Sequence, residues 1–334
     1  MGVNLRGRSL LTLEDYTKEE IETLLATAKD YKQLKMSGIP HATLRGKSVV
    51  LLFAKDSTRT RSAFEVAAAD LGMHTVYVGK DGSHMGSSES VEDTARVLGR
   101  MYDGIEFRGF AQSDVETLAK YSGVPVWNGL TDFFHPTQIL ADFLTVQENF
   151  EKPLNHIKWI YVGDGRNNTA VSQMISAAKV GMDFTIVSPE SLRPDQKLID
   201  EAQEFAKISG AKIGFAKIEN GQLPPEFDRA DVVYTDVWVS MGEEDKWDER
   251  INLLRDYQVN QQMIEATHNT DVIFLHCLPS FHDTNTTTGA QIHDKYGLDA
   301  MEVSDEVFRG SHSRVFDLAE NRMHTIKAIM ALTL

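Results

Sequence analysis

The feature that most restricts this chain is an alternation of short apolar runs rich in β-branched residues, each handed on to a helical pattern through a polar turn. SVVLLFAK (48–55) leads through Asp56-Ser-Thr-Arg-Thr-Arg61 to a helix whose Phe64, Ala67, Ala68 and Leu71 share one face. VPVWNGL (124–130) leads to a helix opening at Pro136, WIYVGDG (159–165) to one around Val171 to Lys179, and DFTIVSP (183–189) to a polar helix. Further strands are predicted at DVVYTDVW (231–238) and DVIFLHCLP (271–279). Strands alternating with helices predict an α/β fold of doubly wound parallel sheets, with ligands at the C-terminal ends of the strands. An amphipathic helix precedes the first strand: Thr17 and Glu20 form a capping box, and Ile21, Leu24, Leu25 and Ala28 follow at helical spacing.

A chain of 334 residues is long enough for two domains. The polar stretch ENFEKPLNHIK around Pro153 places their boundary near residue 150. The 34 basic against 49 acidic side chains leave a formal charge of −15 with no Lys/Arg run, which argues against a nucleic-acid partner. The N-terminus lacks the apolar core of a signal peptide, and no stretch approaches the roughly 18 apolar residues of a membrane span. Together with a single cysteine, Cys277, this predicts a cytoplasmic protein with no membrane partner.

The turn at 56–61 is the most informative local feature. A helix N-terminus offers free N–H groups and about half a positive charge. Ser57, Thr58 and Thr60 add hydroxyls there, and Arg59 adds a planar fork suited to phosphate oxygens. The predicted ligand is a phosphate or carboxylate. With no glycines and no Gly-Lys-Ser/Thr ending, the loop is not a nucleotide-cradling P-loop, so the anion should be small.

STRTR (57–61), FHPTQ (134–138), DVWVSMG (236–242) and HCLP (276–279), in that order, resemble the ornithine branch of the aspartate/ornithine carbamoyltransferase family, nearly end to end. The resemblance implies two doubly wound domains joined by bridging helices. Residues 1–150 would bind carbamoyl phosphate, 151–318 would bind ornithine, and a helix at 319–334 would return to the first domain. It also implies a homotrimer or a multiple of trimers, with active sites at subunit interfaces. The reaction would move the carbamoyl group from carbamoyl phosphate to the δ-amine of L-ornithine, giving L-citrulline and phosphate. Its setting would be arginine biosynthesis or arginine catabolism through the deiminase pathway.

By the family's pattern Ser57, Thr58, Arg59 and Thr60 hold the phosphate, while Thr60, Arg108 and His135 polarise the carbonyl oxygen. Gln138 and the carbonyl of Leu278 receive the carbamoyl amide, and Arg322 lies near the phosphate or carbamoyl group. Cys277 contacts both ligands and, with Asp236, faces the side-chain amine. Asn168, Asp236, Ser240 and Met241 take the amino-acid head group. The catalytic set implied is Arg108, His135, Cys277 and Arg322. His84, in GSHMGSSES (82–90), stands where the family usually has a glutamine on a loop reaching the neighbouring subunit. The charged stretch GEEDKWDERINLL (242–254) is expected to act as a mobile lid.

No His-x-x-x-His pair stands on a convincing helix and one cysteine cannot form a thiolate cluster, so neither a metal nor an organic cofactor is expected. Three other readings stay open from sequence: a carbamoyltransferase for putrescine, lysine or an acylated ornithine; a dinucleotide-dependent oxidoreductase; and a non-catalytic binding module. GDGRNN (163–168) suggests the second of these, although the third glycine of the dinucleotide fingerprint is missing.

Overall fold

Two parallel sheets organise the chain, each in its own unit, in a computed structural model that describes residues 2–239 and 243–334. The first unit comprises 1–144 and 319–334, the second 145–318. In the first, α1 (Lys18–Met36) precedes β1 (Ser48–Phe53), α2 (Thr58–Asp70), β2 (His74–Val78), α3 (Val91–Met101), β3 (Gly104–Arg108), α4 (Gln112–Ser122) and β4 (Val126–Leu130). The chain leaves within α5 (Pro136–Asn149) and returns within α12 (Val315–Thr333).

The second unit runs through β5 (Lys158–Val162), α6 (Asn168–Val180), β6 (Asp183–Val187), α7 (Gln196–Ser209), β7 (Lys212–Ala216) and β8 (Val232–Thr235). It continues with α8 (Trp247–Leu254), α9 (Gln261–Glu265), β9 (Ile273–His276), α10 (Thr287–Tyr296) and α11 (Asp305–Arg309). No described helix is long and apolar enough to cross a membrane.

Strand order is β2-β1-β3-β4 in the first sheet and β7-β6-β5-β8-β9 in the second. The order reverses direction between β1 and β3 and again between β5 and β8, and such switch points open a crevice at the strand C-termini. On one face of the first sheet Val50, Leu52, Ile105, Phe107 and Val126 pack with Ala95, Val115 and Leu118 from α3 and α4. On the other, Phe64 of α2 meets Trp127, whose Nε1 donates to Thr333 Oγ1 of α12 at 3.0 Å. The second core gathers Ile160, Val162, Val233 and Phe274 from the strands with Ile251, Leu254 and Val307 from the helices.

Local signals explain the helix starts. Thr17 Oγ1 accepts from Glu20 N and Glu20 Oε2 accepts from Thr17 N, both halves of the capping box. Helix α12 is buried on more than one apolar stripe. Ile326, Ile329 and Met330 are buried and Met323 is half-buried, but Arg322, His324 and Lys327 are buried as well. Lys327 Nζ donates to Asp70 Oδ2 at 2.6 Å, an ion pair that lets a lysine sit inside.

Helices α3 and α4 approach so closely that a Cβ on Gly99 would lie 1.8 Å from the carbonyl oxygen of Ser122. Gly99→Ala is therefore expected to destabilise the protein by about 1–3 kcal/mol. The check is a lower denaturant midpoint at unchanged slope.

Candidate active site

In the first unit the charged side chains meet at Thr60. Ser57 caps α2 by accepting Thr60 N–H on its Oγ at 3.2 Å, which fixes the first turn. Thr60, fully buried, accepts on its Oγ1 from Arg322 Nη2 at 2.9 Å and from Arg108 Nη1 at 3.4 Å. Arg108 ends β3 and Arg322 lies on α12, so neighbouring strand ends and the returning helix converge on one hydroxyl. Two buried guanidinium groups so placed repel one another and are costly to desolvate unless an anion offsets them. Their planar donors at a helix N-terminus have the chemistry that suits an anion.

His135 immediately precedes α5 and is 4 % exposed. Burial, and then the charges of Arg322, Arg108 and Arg59, hold its ring well below the ordinary imidazole value. It is a neutral hydrogen-bonding group at physiological pH. Its Nδ1 lies 3.5 Å from Thr137 Oγ1, which also accepts from Arg322 Nη2 at 3.4 Å. With Nδ1 accepting from the threonine, Nε2 carries the ring proton and can donate to a carbonyl oxygen.

Gln138 is fully buried; its Nε2 donates to Asp142 Oδ1 at 2.9 Å, leaving Oε1 with no donor among the described residues. That acceptor suits an amide N–H. Thr58 is exposed and Arg59 half-buried, both in the first turn of α2. His84 is exposed; its carbonyl oxygen takes the N–H groups of Ser87, Ser88 and Glu89 in a tight turn, and it is not among the residues that meet at Thr60.

In the second unit the functional positions follow β5, β8 and β9, which are adjacent in the sheet. Asn168 opens α6, and Asn167 caps it by accepting from Ala170 N at 2.8 Å. Asp236 Oδ1 accepts from Val237 N at 2.8 Å and from the Cys277 thiol at 3.1 Å. Ser240 and Met241 lie outside the described residues. The charged stretch after them differs from the expected lid: from Trp247 it is helix α8, with Ile251 and Leu254 in the core. Arg250, 2 % exposed, lies 3.5 Å from Asp164 Oδ2 and 3.7 Å from Glu243 Oε1, which pins that helix beside the β5 turn.

Several positioning groups escaped the sequence. Tyr161 is buried under Asp236; its hydroxyl donates to the Asp164 carbonyl at 3.2 Å and accepts from Asn167 Nδ2 at 2.7 Å. Burial, with the Asp236 and Asp164 carboxylates, pushes that phenol well above its ordinary value, so it stays a donor. His276 Nδ1 accepts from Leu278 N at 2.8 Å, holding Leu278 at φ +59, a left-handed conformation rare for leucine. His276 Nε2 faces Glu302 Oε1 at 3.3 Å, close but bent, and both residues are fully buried. Burial would raise the Glu302 carboxyl, but the His276 ring and the Phe281 N–H outweigh it and hold it below its ordinary value.

Ligand atoms of Asp236, His276 and Cys277 lie within 4.8 Å of one another. Because both His276 nitrogens already face protein partners, the trio is a poor cation site. Thr137 was signalled by its place in FHPTQ. Nothing in DAMEVSD (299–305) marks Glu302.

An arginine–threonine cluster at a helix N-terminus in the first unit and a carboxylate–thiol pair after β8 and β9 in the second are each carried by a doubly wound sheet. The carbamoyl-P binding domain model of the aspartate/ornithine carbamoyltransferases matches residues 8–148, and the Asp/Orn binding domain model matches 155–333. The chain belongs to the aspartate/ornithine carbamoyltransferase family. Among its relatives, the catabolic ornithine carbamoyltransferase of Bacillus licheniformis is 56% identical over 99% of this chain and 98% of that protein. Catabolic ornithine carbamoyltransferase 1 of Streptococcus agalactiae is 57% identical over 99% of both. The ornithine carbamoyltransferase of Pyrococcus furiosus superposes with a TM-score of 0.88 at 43% identity, over 99% of this chain and 98% of that one.

Proposed function

We propose that the protein transfers a carbamoyl group between carbamoyl phosphate and the δ-amine of L-ornithine, with citrulline and phosphate as the other pair. The observation that carries the reading is the convergence of Arg108 and Arg322 on Thr60 at the N-terminus of α2. The full-length likeness to relatives named ornithine carbamoyltransferase favours ornithine as acceptor, and their designation as catabolic favours work in arginine breakdown.

In this assignment the α2 turn (Ser57, Thr58, Arg59, Thr60) receives the phosphate, with Arg322 beside it. Arg108, neutral His135 and Thr60 donate to the carbonyl oxygen as charge develops there, and Gln138 Oε1 with the Leu278 carbonyl accepts the amide protons. Asp236 and Cys277 receive the amine, and Asn168, Ser240 and Met241 the head group. The amine nitrogen forms a bond to the carbonyl carbon as the carbon–oxygen bond to phosphate breaks, and the departing phosphate takes the amine proton. No acyl-enzyme is needed, so Cys277 acts as a contact rather than a nucleophile.

His84 is assigned to a neighbouring subunit's site in a homotrimer or a multiple of trimers, and the enzyme is assigned to the cytoplasm and the arginine deiminase pathway. Mass measurement in solution tests the assembly. Citrulline formation by purified protein between pH 6 and 9 tests the reaction, with putrescine and lysine as competing acceptors. No citrulline at any pH, or a better acceptor than ornithine, would overturn the reading.

Arg59→Ala should raise KM for carbamoyl phosphate about 10- to 100-fold, the worth of a charge-assisted hydrogen bond, while thermal stability stays near wild type. Near-wild-type kinetics in that variant would remove the α2 turn from the phosphate site.

A further inference from the structure

A further contact ties α2 to α12, and the reaction has not used it. Arg322 reaches from α12 to Thr60 in the first turn of α2. At the other end of α2 its last residue, Asp70, accepts on Oδ2 from the Lys327 ammonium of α12 at 2.6 Å. The Lys327 side chain is fully buried and Asp70 is partly buried. Helix α1 closes the arrangement. Lys35 Nζ donates to the same Asp70 oxygen at 2.6 Å, and Lys32 Nζ donates to Asn321 Oδ1, beside Arg322, at 2.8 Å.

The turn after α1 adds another tie. His41 Nδ1 lies 2.8 Å from the Ile39 carbonyl oxygen, which can only accept, so that nitrogen carries the ring proton. Nε2 then accepts from Lys327 Nζ at 2.9 Å. Burial acts to raise the Asp70 carboxyl, but the two ammonium groups outweigh it and hold it below its ordinary value. Burial also lowers the Lys327 ammonium, and Asp70 opposes that fall.

Stability alone gives no ground for such a pair. Replacing a buried ion pair by well-packed apolar side chains is often neutral or stabilising, and its best-attested use is to set register. The apolar face of α12, with Ile326, Ile329 and Met330, is held by burial that has no direction. Sliding a helix by one residue moves it about 1.5 Å along its axis and demands a turn of about 100°. Arg322 lies less than two turns before Lys327, and its guanidinium sits at the end of a long side chain, so movement of α12 carries through to Thr60. A directional contact resists that movement.

We infer that Asp70 and Lys327 are positioning residues for the anion site: their ion pair fixes the register of α12 against α2 and so holds the Arg322 guanidinium on Thr60, where it meets the phosphate. The inference rests on the carbamoyl phosphate reading of that site.

The test is a double-mutant cycle on the full-length protein, with inorganic phosphate binding measured by calorimetry at a temperature where every variant is folded. Lys327→Met and Arg322→Met are made singly and together. Lys327→Met should weaken phosphate binding about tenfold in the wild-type background, an ordinary scale for coupled residues, and less than about twofold once Arg322 is gone. A pair that only packs the helices lowers the melting temperature and leaves the change in affinity the same in both backgrounds. An equal loss in the two backgrounds, or no loss in the first, overturns the proposal alone. Failure of wild type to bind phosphate, or equal binding by wild type and Arg322→Met, overturns the phosphate reading and the proposal together. Where Arg322→Met binds phosphate too weakly to read, kcat/KM for carbamoyl phosphate closes the cycle with the same two outcomes. Should Lys327→Met fail to fold, Asp70→Asn takes its place, since it keeps an oxygen for the lysines and removes the charge; Arg322→Gln likewise stands in for Arg322→Met.

Discussion

Replacing Arg322 with methionine is expected to lower kcat/KM for carbamoyl phosphate by about 10³-fold, the upper range for loss of one preorganised donor. Arg322 Nη2 donates to Thr60 Oγ1 at 2.9 Å and to Thr137 Oγ1 at 3.4 Å, so one guanidinium orders both hydroxyls of the cluster. Methionine fills most of the volume of this buried side chain, which separates loss of charge from loss of packing. Arg322→Lys should recover only part of the loss, because an ammonium supplies the charge without the planar fork. Arg322→Met should also lower thermal stability, since it leaves the buried Thr60 and Thr137 hydroxyls without this donor, so kinetics are compared at a temperature where both proteins are folded. Activity within tenfold of wild type would take Arg322 out of the site.

The α2 turn was legible because its information is local: Ser57, Thr58, Arg59 and Thr60 are consecutive, and an N-cap with hydroxyls and a positive fork reads directly from the chain. Arg108 was less legible. Its place beside Thr60 depends on β1 and β3 being neighbours, and no residue in either strand states the order β2-β1-β3-β4. Arg322 stands 262 residues from Thr60 and was reached only through a family pattern. On α12 the apolar spacing of Ile326, Ile329 and Met330 was visible, but the burial of Lys327 was not, because its partner Asp70 lies on another helix.

Glu106, fully buried on β3, did leave a mark, an acid inside the apolar run GIEFR (104–108), which a strand buried on both faces does not tolerate without a reason. The His276–Glu302 pair left none. Its effect is on the backbone of Leu278, and a left-handed leucine has no signature in composition or spacing. The branch-specific motif around Ser240 and Met241 was legible as HCLP was, through resemblance rather than through physical pattern.

The counterpart at the amine end is Asp236→Asn, expected to lower kcat/KM for ornithine by about 10²- to 10³-fold, the cost of losing one preorganised electrostatic partner. The substitution isolates charge. An amide oxygen can still accept from Val237 N and from the Cys277 thiol, as Asp236 Oδ1 does at 2.8 and 3.1 Å, so the loop keeps its hydrogen bonds. What is lost is the negative charge facing the amine, which stabilises the positive charge that develops on the attacking nitrogen. An amine with a pKa near 10.4 is neutral in only about one molecule in two thousand at pH 7, so wild-type activity should climb with pH as the free base accumulates. Asn at 236 should retain that climb at a lower level, since the titrating group belongs to the substrate. KM for carbamoyl phosphate should change less than KM for ornithine, because the assignment gives Asp236 to the amine and not to the phosphate. Cys277→Ala in the same series apportions the remainder: a loss much smaller than that of Asp236→Asn makes the carboxylate the amine's principal partner, whereas a larger one transfers that role to the thiol.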